Sequence, residues 1–214
     1  MKRRTLDLMA STGGLLIAAI LLVAGLVLSA NASFANTYVA DQLGAQKITF
    51  STVDELTDAE RAVPCLVEYA GQPLTTGKQA ECYANNYIGL HLKGIAGGKT
   101  YAELGDVQSE LRAQIAEAQR TNDPNLEDLQ AELQTVTQQR ETVFKGETLR
   151  GLLLTSYGFS ELGAKAGLAA TVAYLGAGLM FLLSVLGIWH GLRTPATVAF
   201  AAPEPARERE LVNA

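Results

Sequence analysis

Two cysteines, two histidines and a short run of Gly, Lys and Thr are the residues of this chain whose types and spacing could carry chemistry. Cys65 and Cys82 stand too far apart for the C-x-x-C spacing of a redox-active dithiol, so they read as a structural disulfide. Closing a loop of about 17 residues stabilises a small domain by roughly 3 kcal/mol in the chain-entropy account, a useful share of its total. Gly94, Gly98, Lys99 and Thr100 invite comparison with a phosphate-cradling P-loop. That loop needs one more residue than separates Gly94 from Gly98, and a buried strand before it, which this sequence lacks. The run reads as a helix stop, with glycines supplying the left-handed conformation and Lys99 near a helix C-terminus.

His91 and His190 fall on opposite sides of the topology argued below, so they cannot share a metal or a catalytic site. His91 has no second imidazole and no carboxylate one helical turn along, which favours a packing or surface role. Glu68, Glu81 and His91 are the set an enzyme of unrecognised chemistry would draw on. No catalytic, cofactor-binding or metal-ligating residue is expected.

The elements that must position these residues follow from two uncharged apolar runs, residues 10–40 and 166–189. A helix of roughly 20 apolar residues crosses a hydrocarbon core of about 30 Å, so each run is long enough to span a bilayer. Lys2, Arg3 and Arg4 precede the first run and Arg193 follows the second. Short flanks rich in Lys and Arg stay cytoplasmic, which places both termini inside and the middle domain outside the cell membrane. In that oxidising space a pair of thiols persists as a disulfide. A basic start followed by a small-residue site at residues 30–32 also fits a cleaved signal peptide, but the apolar character runs on through Phe34 and Tyr38, longer than a usual signal core. A net charge of −5 argues against nucleic acid as a partner.

The expected fold is mainly α: a cytoplasmic N-terminus over residues 1–9, a first span over 10–35, a small helical extracytoplasmic domain over 36–165, a second span over 166–190 and a disordered tail over 191–214. Within the domain, Thr57 can cap a short helix and Pro64 ends it. The segment between the cysteines carries turn residues and reads as a loop pinned by the disulfide. From Lys78 onward Cys82, Tyr83, Tyr87, Ile88, His91 and Ile95 recur at helical spacing. Residues 106–146 read as a narrow helical hairpin, with Val107, Leu111 and Ile115 facing Leu126, Leu129, Leu133, Val136 and Val143. Gly146 should loosen the second arm before an amphipathic, membrane-proximal helix over 147–165.

Tyr83, Tyr87 and His91 share one helical face, and with Lys99 and Tyr101 they could line a small pocket for a lipid or envelope precursor; tyrosines at this spacing are more often core. Leu149, Leu152 and Leu153 form the apolar stripe of the membrane-proximal segment. In the second span Gly163, Gly167, Gly176, Gly187 and Gly191 let a neighbouring helix approach closely, the first span being the favoured partner over an external one.

Specific strings resemble a group of small two-pass actinobacterial membrane proteins of unassigned function. They are Tyr38-Val39, Gln42-Leu43 and Lys47-Ile48-Thr49, then Gly97-Gly98-Lys99-Thr100-Tyr101-Ala102-Glu103-Leu104, and Gly146-Glu147-Thr148-Leu149-Arg150-Gly151-Leu152-Leu153-Leu154 leading into the second span. The stretch from Gln108 to Arg140 lies outside the resemblance. Some members carry an automatic label of aromatic ring-opening dioxygenase. A non-haem dioxygenase binds iron through two histidines and a carboxylate, and one exported histidine cannot build that site. The resemblance implies the topology and leaves the function open. The expectation is a non-enzymatic membrane protein whose exported domain contacts membrane lipid and a membrane-protein partner or a second copy, as an accessory part of a larger assembly.

Overall fold

The structure, a computed structural model, describes residues 2–195 and 197–198. It is mainly helical, with an isolated antiparallel bridge between Thr49 and Pro73. The elements are α1 (Arg3–Ala45), a 3-10 turn (Val53–Glu55), α2 (Asp58–Arg61), α3 (Pro64–Glu68), α4 (Gly77–Cys82), a π-helical turn (Tyr83–Ile88), α5 (Gly89–Ile95), α6 (Tyr101–Thr121) and α7 (Leu126–Arg193). Ser33–Ala164 forms one compact unit, and the chain on either side of it forms the other.

In the second of these units α1 and α7 pair antiparallel: Ser11 meets Gly187, Gly14 meets Ser184, Leu21 meets Gly176, Gly25 meets Tyr174 and Ala32 meets Gly167. The seam is built from small residues every seventh position. On α1 they are Ser11, Ala18, Gly25 and Ala32; on α7 they are Ala170, Ala177, Ser184 and Gly191, and all are buried. Leu21 and Tyr174 reach across to Gly176 and Gly25, while Leu16, Ile20, Val23 and Val27 on α1, and Leu168, Leu175, Leu179 and Leu182 on α7, are exposed. A core helix of a water-soluble protein would bury its most apolar stretch, whereas here only 17% of that stretch in α1 and 11% in α7 is buried. Both helices are long and apolar enough to cross a membrane.

The Ser33–Ala164 unit is assembled from short helices that start on the same local device. Thr52, Thr57, Thr76 and Thr100 each stand three residues before Glu55, Glu60, Gln79 and Glu103, and each pair forms a capping box. The Glu60 carboxylate accepts from the Thr57 backbone N–H and hydroxyl at 2.7 Å, and Glu103 does the same with Thr100 at 2.7 and 2.8 Å. These hydrogen bonds hold Glu55, Glu60 and Glu103 below the usual carboxylate range, with the threonine backbone N–H the largest cause in each. A depressed folded pKa means the unfolded chain takes up protons first as pH falls, so the contribution is present above the ordinary carboxylate pKa of about 4.3 and is lost below it. Thermal melts should therefore show a falling midpoint as pH drops from about 5 to about 3, and Glu60→Gln, which keeps the acceptor but not the charge, should flatten that fall. A midpoint independent of pH in this window would refute the assignment.

Cys65 in α3 and Cys82 at the end of α4 form a disulfide, with Cα atoms 6.1 Å apart. The segment between them is not a bare loop as expected, since α3 and α4 occupy its two ends. Around the bond Val39, Leu43, Phe50, Leu66, Leu74, Ala80, Ala84 and Leu153 make a core drawn from α1, the short helices and α7. A second cluster joins Leu92 and Ala96 to Leu104 and Leu111 of α6 and to Val136 and Val143 of α7. The two arms of this hairpin are registered by a polar layer. Gln108, 3% exposed, donates to Thr137 Oγ1 at 2.7 Å and accepts from Arg140 at 2.9 Å, so both ends of its amide are satisfied. At the tip Asn122 adopts the left-handed conformation and Asp123 accepts from the Asn125 N–H, so the second arm starts at Leu126, two residues beyond Pro124.

One expected boundary is absent. Gly146 does not break or loosen the second arm, and the hairpin arm, the expected amphipathic helix over 147–165 and the second apolar run belong to one continuous helix, α7. The glycine is a contact rather than a hinge: a methyl group there would meet three carbons of the Leu92 side chain at 2.5 to 3.0 Å. Tertiary packing decides this residue where local propensity suggests a break. Gly191 to Arg193, the start of the tail expected to be disordered over 191–214, remain helical, and residues 196 and 199–214 of that tail lie outside the described residues.

Candidate functional site

The run from Gly77 to Ile95 changes pitch in its middle. From Tyr83 to Ile88 the helix widens to a π turn, in which the Gly89 N–H reaches the Ala84 carbonyl. Arg150 of α7 explains where the widening sits. Its Nε donates to that same Ala84 carbonyl at 3.0 Å, its Nη2 to Asn85 Oδ1 at 3.3 Å and its Nη1 to Glu147 at 2.7 Å. One guanidinium fork thus ties the π turn to α7, using a geometry that lysine cannot copy. Arg150→Ala should lower the unfolding free energy of the domain by about 2 kcal/mol, the usual size for a charged hydrogen bond, and Arg150→Lys should recover little of it. Full recovery by lysine in denaturant melts would show that charge alone matters.

The π turn also aligns rings. Residues four apart overshoot a full turn in an α-helix and fall short of one in a wider π turn, so passing from one to the other keeps Tyr83, Tyr87 and His91 in line. Tyr83 stacks on Tyr87 with centroids 4.7 Å apart, Tyr87 contacts His91 at 4.6 Å, and Phe50 closes the row against Tyr83 at 5.2 Å. Burial holds the Tyr83 phenol above its ordinary pKa, with the neighbouring Tyr87 adding to the effect. His91 Nδ1 lies 2.8 Å from the Tyr87 carbonyl, which can only accept, so the ring proton sits on Nδ1. Its Nε2 faces Glu60 Oε1 at 3.7 Å. No local pattern pointed to that carboxylate, because Glu60 and His91 belong to different helices, α2 and α5.

The expected acid–base set does not converge. Glu81 is 3.6 Å from Lys78, Glu68 is exposed, and neither joins His91. Lys99 and Tyr101 do not share the tyrosine face either. Tyr101 contacts Phe144 at 5.7 Å and lies under the Arg140 guanidinium at 4.1 Å, while Lys99 is exposed beyond Gly97 and Gly98, whose φ values of 56° and 81° end α5. His190 stands beside Trp189, over which Arg193 stacks at 4.2 Å, and its Nε2 is 4.0 Å from Asp7. Among the described residues no cluster of three or more His, Cys, Asp or Glu side chains converges on a point.

The row of rings ends at an apolar groove of about 560 Å³, within the usual range for small-ligand sites. Val39, Leu43 and Leu153 form its buried floor and Tyr83 and Ile88 its inner wall. Tyr38 and Gln42 of α1, with Gln46 just past its end, line one side; Leu149, Leu152, Ser156 and Phe159 of α7 line the other. Tyr38, Leu149 and Leu152 are about half exposed or more, at 49, 53 and 62%. Phe159 sits edge-on to Phe34 at 6.4 Å and to Tyr38 at 5.8 Å, making a three-ring cluster at one end of the groove. No lining side chain is charged. The structure thus gathers Tyr83 with Leu149, Leu152 and Leu153, and leaves Tyr87 and His91 outside the groove.

Of the glycines expected to pack helices, Gly187 cannot accept a side chain without moving Ser11, and a methyl group at Gly176 or Gly191 would lie 3.3 Å from Leu21 or Asp7. Gly167 has ordinary room, at 3.6 Å from the Ala32 methyl, and Gly163 is buried in the neighbouring unit. Gly14 and Gly25, on the other helix, are as tightly engaged. The chain matches no protein-family model, no curated protein and no solved structure.

Proposed function

We propose that this chain is a two-pass protein of the cell membrane, with both termini cytoplasmic and the Ser33–Ala164 domain outside, and that the domain works by binding rather than by catalysis, as an accessory part of a larger membrane or envelope assembly. The observation that carries the reading is the uncharged, partly exposed apolar groove between α1 and α7. Monomeric soluble surfaces seldom keep such a patch without a use for it. Support for the sidedness comes from Lys2, Arg3 and Arg4 before the first apolar run and from a disulfide suited to an oxidising space. The seam between α1 and α7 favours retention of the first apolar helix over its removal as a signal peptide.

Two measurements test it. An impermeant amine reagent applied to intact cells should label Lys47, Lys93 and Lys99 and spare Lys2. Lys78 is a poor reporter, since hydrogen bonds from its ammonium to Tyr157 and Glu161 push its pKa well up and leave little free amine. Purification in mild detergent should retain a bound component that Leu149→Asp with Leu152→Asp removes without loss of folding. Recovery of the wild-type protein alone, as a monomer carrying neither protein nor lipid, would overturn the proposal.

A further inference from the structure

Resting on that reading, we infer that the groove holds an acyl chain of a membrane lipid. Three features of the site point to this occupant. Its floor of Val39, Leu43 and Leu153 is fully apolar and its lining carries no charge, so a peptide or headgroup recognised through ion pairs finds no partner there. The polarity is graded along α1 and its exit: Phe34 and Tyr38 come first, then Gln42 one turn further on and Gln46 just past the helix end, leading away from the apolar run. Among the described residues the amides of Gln42 and Gln46 make no hydrogen bond within the protein, which leaves donors free for an ester or hydroxyl oxygen.

The third feature is supply. The groove walls come from the stretch of α1 directly after the first bilayer-length apolar run and the stretch of α7 directly before the second. An acyl chain in the groove would meet the rings of Tyr38 and Phe159 with its methylenes and the two glutamines with its ester region.

The test uses the full chain in vesicles of phosphatidylcholine and phosphatidylglycerol that contain a lipid with a diazirine near the end of one acyl chain. After photolysis, adducts mapped by mass spectrometry should appear on Tyr38, Leu149, Leu152 or Phe159 as well as on the spans, whose adducts serve as the internal reference. Leu152→Trp fills the groove and should lower the groove-to-span ratio about tenfold with circular dichroism unchanged. Phe144→Trp, an exposed aromatic outside the groove, should leave the ratio as it was. Adducts confined to the spans, or a ratio that Leu152→Trp does not move, would overturn the lipid assignment. In that event a photoreactive amino acid at Leu149 separates the two failures: capture of a protein that Leu152→Trp abolishes leaves the interaction reading standing with a different occupant, and capture of nothing removes both.

Discussion

Reduction of the Cys65–Cys82 bond, or its replacement by two alanines, should destabilise the Ser33–Ala164 domain by about 3 kcal/mol, the loop-closure value for a cross-link of this span. For a unit of this size that is a midpoint drop of roughly 10 °C in scanning calorimetry with and without a phosphine reductant. The effect is large because of what the bond holds together. Leu66 of α3 lies one residue from Cys65 and Leu74 sits between α3 and α4, at 1 and 0% exposure, yet both helices are too short to be stable alone. Asn86 donates to Cys65 Sγ at 3.3 Å, so the bond also touches the π turn and, through it, the row from Tyr83 to His91. Loss of the near-ultraviolet tyrosine signal should accompany the drop. A midpoint that moves by less than about 2 °C would mean the short helices are held by packing alone.

The parts of this fold that were legible beforehand are those whose cause is local. Thr57 as a cap, the stripe from Cys82 to Ile95 and the hairpin faces around Leu111 and Val136 all follow from spacing within a few turns. The other capping boxes at Thr52, Thr76 and Thr100 carry the same Thr-x-x-Glu or Thr-x-x-Gln signature and were open to the same reading. What escaped has its cause elsewhere in the chain. The π turn is pinned by Arg150, 66 positions from Ala84, and nothing in the residues from Tyr83 to Ile88 announces it. Glu60 meets His91 only because α2 is folded against α5. The groove needs Tyr38 and Gln42 from one end of the domain and Leu149 and Leu152 from the other, so each half looks like an ordinary amphipathic stretch by itself. Gly146 shows the same limit from the opposite side, since a local rule makes it a breaker and Leu92 makes it a contact.

Gly14→Leu should pull the paired helices apart while Gly13→Leu, one residue away, leaves them together. A side chain at Gly14 overlaps the Ser184 hydroxyl and comes within 3.5 Å of Met180, whereas nothing lies within 4 Å of Gly13. Gly187→Leu against Ser11 and Gly178→Leu, again with nothing within 4 Å, make the matching contrast on α7. The physical basis is the period. Glycines four apart suggest a G-x-x-x-G contact, which favours a right-handed crossing, but the buried small residues recur every seven, and a sustained seven-residue repeat wraps helices the other way. Ser11, Ala18, Gly25 and Ala32 on α1 and Ala170, Ala177, Ser184 and Gly191 on α7 are the buried small residues of this repeat, and a leucine inserted at Gly14 or Gly187 beside them meets Ser184 or Ser11. Overpacking of this kind costs about 1–3 kcal/mol per site. An engineered Ser11→Cys, Gly187→Cys pair reads the outcome, since both native cysteines are already bonded to each other. Oxidation should join the two helices in the parent and in Gly13→Leu, and the yield should fall at least about fivefold in Gly14→Leu, the lower bound of that energy range. Equal yields in the two variants would mean that the close approach of Gly14 to Ser184 does not hold the helices together.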